Sequence, residues 1–270
     1  MTSNENDKKK IISRIGIGAK GLLYLLVGGL TSWAAFGSGG EKTGSEGAMK
    51  FILRQPFGQI LLCILVAGLA CYVFWRMYQA FGDPEDKGED GSGIARRIGY
   101  FSSGAFYALI IFTAISMLIG QSPSSGGGGG GGGGNESIVQ KLLAQEFGRW
   151  LVAGFSLIFL GKAIWQLYRA YSGKFKDKVK ETQLQENERK AVVTSGVAGY
   201  TARGIVVGVI AYLTIKAALN YNASKAGGTD KAFSFVQDEF GTLVLGIIAI
   251  GLACYGVFML VKARYREMTF

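Results

Sequence analysis

Histidine is absent from the chain, and cysteine and proline occur three times each among its 270 residues. The first absence removes the commonest metal ligand and the usual general base near neutral pH. The scarcity of cysteine argues against a disulfide framework. Cys63, Cys71 and Cys254 each sit inside an apolar block, where they read as small hydrophobes. Acidic residues are missing from every long apolar block, so carboxylate-coupled proton or sodium movement has no visible machinery. No Ser/Lys or Cys/base pair stands at a suggestive spacing, so no hydrolytic constellation is visible. The chain is expected not to be an enzyme and to need no metal or other cofactor.

What is present falls into blocks. Hydrophobic residues form 49% of the chain and gather in six stretches, near Ser13–Phe36, Phe57–Tyr78, Ile98–Ile119, Trp150–Tyr168, Thr194–Leu219 and Thr242–Val261. Each approaches the roughly 20 residues that a bilayer-spanning helix needs. None shows the period of two that marks a membrane strand. The expected fold class is an all-α integral membrane protein with six transmembrane helices. The first block is too long for the apolar core of a signal peptide and lacks a small-residue cleavage site, so it should remain as the first span.

The net charge of +10 follows the same map. Lysine and arginine concentrate at the N-terminus (Lys8, Lys9, Lys10, Arg14), between Arg76 and Arg97, between Arg169 and Lys190, and at the C-terminus (Lys262, Arg264, Arg266). The alternate connections carry fewer. This asymmetry places both termini in the cytoplasm. It also offers a basic face to anionic lipid headgroups, so the charge needs no nucleic-acid partner to explain it.

Residues 1–10 read as a disordered cytoplasmic tail and 11–270 as a single six-helix membrane domain. Gly16–Gly21 (GIGAKG) matches a dinucleotide-binding glycine pattern, but a basic tail precedes it where a strand is required. Small residues that let helices approach closely explain it better. Nine glycines at 126–134 form a linker with no phosphate-binding continuation.

The blocks repeat in pairs. Gly16-Ile17-Gly18-Ala19-Lys20-Gly21 aligns with Gly99-Tyr100-Phe101-Ser102-Ser103-Gly104 and with Gly199-Tyr200-Thr201-Ala202-Arg203-Gly204. Phe57-Gly58 aligns with Phe147-Gly148 and Phe240-Gly241. Ten residues beyond each glycine, Gly68-Leu69-Ala70-Cys71-Tyr72 matches Gly251-Leu252-Ala253-Cys254-Tyr255, whereas the middle copy reads Ile158-Phe159-Leu160-Gly161-Lys162. The repeats cover about 11–83, 94–173 and 192–266. Each enters from and returns to the same side, so the copies are parallel and form a pseudo-threefold bundle if they pack as equivalents. Short apolar segments before each Phe-Gly (Ala48–Leu53, Ile138–Leu143, Ala232–Val236) read as surface helices with their apolar side down, and the glycine as the bend that follows.

These motifs resemble the bacterial domain-of-unknown-function 1206 family, built from three two-helix membrane repeats. The resemblance runs from Ile12 to Arg264, best in the first and third units. It implies a multi-pass protein of the bacterial cytoplasmic (inner) membrane and carries no activity.

Charges within the spans are the functional candidates, because burying one at the bilayer centre costs about 2.5–3.5 kcal/mol on insertion scales. Lys20 and Arg203 share one repeat position, with Ser103 as the third member. Lys162 stands 14 residues past Gly148, where the other copies have Tyr72 and Tyr255. Around a common axis, Lys20, Ser103 and Arg203 would form an anion-attracting vestibule; alternatively, the two cations snorkel to headgroups. Lys216, near the far end of its span, is expected to snorkel. Tyr72, Trp75, Tyr78, Trp165 and Tyr168 read as an interfacial aromatic belt. Two functions follow. One is a non-catalytic protein that packs with lipids, with a membrane-protein partner or with a second copy of itself. The other is a small transporter or channel for an anionic or amphipathic solute along the repeat axis.

Overall fold

The computed structural model describes residues 3–37, 43–82, 84, 90–120, 147–173, 186–220, 222 and 226–265. These form seven helices: α1 (Ser3–Phe36), α2 (Ser45–Leu53), α3 (Gly58–Phe81), α4 (Gly91–Leu118), α5 (Gly148–Tyr171), α6 (Glu186–Leu219) and α7 (Thr229–Tyr265). Among the described residues there is no strand. All but α2 are long and apolar enough to cross a membrane. They match the six blocks and run past them at several ends. α1 begins at Ser3, so most of the segment expected as a disordered tail is helical. The nine glycines and the segment Ile138–Leu143 lie outside the described residues.

The short helices before Phe-Gly form in the first and third repeats. α2 buries Ala48, Met49 and Ile52, and the first turns of α7 bury Ala232, Phe233 and Val236. The bends that follow differ. Gly241 takes φ 85°, a conformation that glycine adopts without a Cβ penalty, and it kinks α7 there. In the first repeat the left-handed angle falls instead on Phe57 (φ 60°). Gly58 serves close approach, because a Cβ there would lie 2.3 Å from the carbonyl oxygen of Ile52.

The six long helices form a ring of three repeats. Within repeats, α1 packs on α3 and α6 on α7; between repeats, α3 packs on α4, α5 on α6 and α7 on α1. The between-repeat contacts use one equivalent glycine. A Cβ on Gly21 would come 3.0 Å from the Gly256 carbonyl, one on Gly104 2.5 Å from Met77, and one on Gly204 2.9 Å from Leu167. Lipid outside the bundle is as apolar as its side chains, so such close backbone approach and van der Waals packing hold the helices together. Large apolar side chains, among them Trp33, Ile64, Phe74, Leu157 and Leu243, cover the outer face.

The middle repeat breaks the pattern, since α4 and α5 scarcely touch among the described residues. The cause is legible in equivalent positions. A Cβ on Gly16 would lie 2.5 Å from the Tyr72 backbone and one on Gly199 2.5 Å from that of Tyr255, whereas one on Gly99 meets nothing within 4 Å. Gly68 and Gly251 nest against Ala19 and Ala202. Their counterpart is Ile158, 43% exposed, whose bulk at a position built for glycine keeps the two helices apart.

Candidate functional site

Lys20 lies one turn past the glycine that seats α1 against α3, and that contact brings it to the tyrosine 14 residues into α3. Its Nζ donates to the Tyr72 hydroxyl at 3.0 Å and faces the rings of Tyr72, Tyr107 and Tyr255 at 4.8, 5.1 and 5.6 Å. Arg203 repeats the arrangement in the third unit. Its Nη1 donates to the Tyr255 hydroxyl and its Nε to the Tyr24 hydroxyl, both at 2.9 Å. The two cations therefore share Tyr255, one over its ring and the other on its oxygen. Edge-on ring contacts of Tyr24 with Tyr255 (4.9 Å) and of Tyr72 with Tyr107 (4.8 Å) hold the tyrosines in place.

Both cations are inside the protein. Lys20 is 3% exposed and Arg203 8%, so neither snorkels to the headgroups. Ser103 is buried as well. Lys162 approaches the same centre from α5. It and Arg203 line one cavity of about 40 Å³ together with Tyr24, Phe106, Phe159 and Val206. At about 10–15 Å³ per water on the same measure, that is room for about three waters or one small oxyanion. Lys162 has no hydrogen-bond acceptor among the described residues, and its nearest ring is Phe106, 5.9 Å away, at the limit of a useful cation–π contact.

Two further cations belong to the centre and were counted as connecting residues in the charge map. Arg76 lies within α3, donating from Nε to the Tyr72 hydroxyl and from Nη1 to Gln79 Oε1, both at 2.8 Å. Lys262 is buried near the end of α7, within electrostatic reach of Lys20 along with Arg203, Arg76 and Lys162. No Asp or Glu stands in any of the six apolar blocks. Among the described residues, tyrosine oxygens and ring faces thus compensate Lys20, Arg76 and Arg203. Compensation of that kind is partial: a desolvated cation–π contact contributes about 2 kcal/mol, against several for withdrawing an ion from water.

The hydroxyl of Tyr107, 1% exposed, also finds no hydrogen-bond partner among the described residues. A buried oxygen left so costs about 1–3 kcal/mol, and the ring that carries it faces Lys20 Nζ at 5.1 Å. The tyrosines could have been found from sequence. Tyr24 and Tyr107 stand four residues beyond Lys20 and Ser103, and Tyr72 and Tyr255 fourteen beyond the Phe-Gly glycine.

The proposed belt divides. Trp165 and Tyr168 are exposed, Tyr78 is half-buried beneath Lys9 at 5.0 Å, and Tyr72 and Trp75 are inside at 1% and 2% exposure, so neither faces the surroundings. Lys216 is exposed near the far end of α6 over Tyr212, away from the centre. Among the described residues no cluster fit to bind a metal occurs.

Fold and site together define a multi-pass helical membrane protein of three two-helix repeats arranged around a buried cationic centre. The chain belongs to the family described as Domain of Unknown Function (DUF1206), which matches residues 15–83, 98–173 and 198–266. An uncharacterized protein, YxxB, of Bacillus subtilis (strain 168) is 32% identical over 261 residues, spanning 96% of this chain and 92% of that protein. No solved structure matches the chain.

Proposed function

We propose that this protein binds an anionic solute or lipid headgroup within the membrane at the cation–tyrosine centre and does no chemistry on it. One observation carries the reading: Lys162 and Arg203 line a common cavity, and no carboxylate in the apolar blocks neutralises them. Buried charges without counter-ions mark ion or substrate sites in membrane proteins. The centre suits the anionic or amphipathic solute of a small transporter. The three two-helix repeats are shared in architecture with mitochondrial carriers, an analogy of fold alone. The charge map and the Bacillus relative support a bacterial cytoplasmic membrane with both termini inside.

The direct test is thermal unfolding of the protein in phosphatidylcholine nanodiscs, titrated with inorganic phosphate at constant ionic strength. Saturable stabilisation is expected, and Lys162→Gln should remove it. A wild-type curve indistinguishable from that of the variant overturns the reading. Movement of the anion is then tested by flux in proteoliposomes, where Lys162→Ala should abolish uptake.

A second reading, packing with a membrane partner or another copy, rests on Gly154 and Gly161. Both lie on α5 with nothing within 4 Å of an added Cβ, which leaves room for a neighbouring helix. Crosslinking in native membranes that recovers only monomer counts against it.

A further inference from the structure

The cavity lies where the ring of helices is incomplete. Phe106 on α4 and Phe159 and Lys162 on α5 form part of its wall, and α4 and α5 are the neighbours that scarcely touch. In the first and third repeats the corresponding seam is closed by glycine against backbone, at Gly16 with Tyr72 and at Gly199 with Tyr255. In the middle repeat Gly99 meets nothing, and Ile158 stands exposed beside Phe159. The repeat that opens the seam is also the one that moves its cation. Lys20 and Arg203 sit on the first helix of their units and rest on the tyrosine of the second. The middle unit has Ser103 on the first helix and places Lys162 at the tyrosine position, beside the opening.

We infer that the α4–α5 seam is a lateral portal from the bilayer, and that the ligand is an anionic amphiphile. Its phosphate or carboxylate group meets Lys162 and Arg203 while its hydrocarbon chain leaves between α4 and α5. This rests on the proposed anion-binding function and adds the ligand class and its route. Charge complementarity selects the headgroup. The walls select the chain, since Phe106, Phe159, Val206, Val207 and Ile210 offer it no polar partner. The room beside Lys162 fits one small oxyanion. One polar group on the cavity wall awaits such a guest, the Lys162 ammonium, which has no hydrogen-bond partner among the described residues. A water-soluble anion needs no apolar slot open to lipid, so the seam favours the amphiphile.

The experiment uses the full chain in phosphatidylcholine nanodiscs and a dodecyl phosphate with a photoactivatable diazirine in its chain. The matching diazirine alcohol reports the general lipid annulus, and inorganic phosphate serves as competitor. The expected result is adducts concentrated on α4 and α5, at least about tenfold above the alcohol at the same positions. Lys162→Gln should lower them about tenfold. Ile158→Gly, which restores the glycine of the other repeats, should lower them by letting the seam close. Adducts spread evenly over all six spans, with inorganic phosphate still binding in a Lys162-dependent way, overturn the portal and leave the anion site standing. Failure of both phosphate compounds to respond to Lys162→Gln overturns the site itself, and the portal with it.

Discussion

The first and third repeats and the middle repeat share one plan and differ in three substitutions that matter. In the outer pair, a cation on the entering helix is answered by a tyrosine on the returning helix, 52 residues on in both cases (Lys20 to Tyr72, Arg203 to Tyr255). In the middle copy, serine takes the cation's place, lysine takes the tyrosine's, and isoleucine takes the place of the glycine that lets the two helices meet. Duplicated units that packed identically would put three cations in a symmetric ring, each with its own acceptor. The departures leave one cation unanswered and one seam open, and both fall at the same cavity. The outer repeats therefore read as scaffold and the middle one as the working part.

The sharpest way to break that comparison is to fill equivalent glycines. Gly199→Leu drives a side chain into the Tyr255 backbone, and Gly16→Leu into that of Tyr72. Each should cost about 3 kcal/mol or abolish folding, since helices must separate to admit the new atoms. Gly99→Leu has open space and should leave thermal stability nearly unchanged. Unfolding midpoints in nanodiscs decide it; equal losses at all three positions would mean that the middle seam is closed.

The next effect separates the tyrosines. Among the described residues, Tyr72 accepts from both Lys20 and Arg76, whereas Tyr255 accepts from Arg203 alone. Hydrogen bonds to charged groups contribute about 1.5–3 kcal/mol. Tyr72→Phe keeps the ring beneath Lys20 and removes the shared acceptor, so a loss of about 2–3 kcal/mol is expected. Tyr255→Phe should lose about 2, because Arg203 retains Tyr24. A reversal of that order would assign the larger structural role to the third repeat.

Most of the fold was legible before any coordinates. A span surrounded by lipid must be apolar over its whole length, so its hydropathy is unbroken and the positive residues map its ends. The site was half legible for the same reason: Lys20, Lys162 and Arg203 stand out against apolar sequence. Arg76 and Lys262 were hidden because they fall at block edges, where a basic residue normally belongs to a loop. Tyr72 was hidden because an aromatic near a span end reads as an interfacial anchor, and Trp75 misled in the same way. Burial separates the two roles, and burial depends on which helix lies alongside. The open seam was present in the letters as Ile158, but it acquires meaning only once Gly68 and Gly251 are seen against Ala19 and Ala202.

Lys162 should respond with the opposite sign to the tyrosines. Half-buried Lys162, with no acceptor among the described residues, is a cost that the rest of the bundle offsets, and function is the reason to keep it. Lys162→Met keeps the length and removes the charge. Replacing buried charges by well-packed apolar groups is neutral or stabilising by about 1–4 kcal/mol. The ligand-free protein should therefore gain about 1–2 kcal/mol and lose its response to phosphate. A variant that is both less stable and still responsive would make Lys162 a structural residue.

The smallest expected effect lies at the far end of the bundle, where the scaffold repeats are tied to each other. Asp230, at the start of α7, accepts from the Gly44 amide at 2.7 Å, just before α2 begins. The bond joins the short helices of the first and third repeats across 186 residues of sequence, and a Cβ on Gly44 would lie 2.5 Å from the same carboxylate. Asp230→Asn keeps an oxygen as acceptor and removes the charge, so only the charge-assisted part of the bond is lost, about 0.5–1 kcal/mol. Amide exchange at Gly44 reads this directly. Exchange about two- to fivefold faster in the variant, with the phosphate response unchanged, is the outcome expected if this end only braces the ring. A changed phosphate response would instead couple the brace to the cationic centre, and the division between scaffold repeats and a working repeat would have to be redrawn.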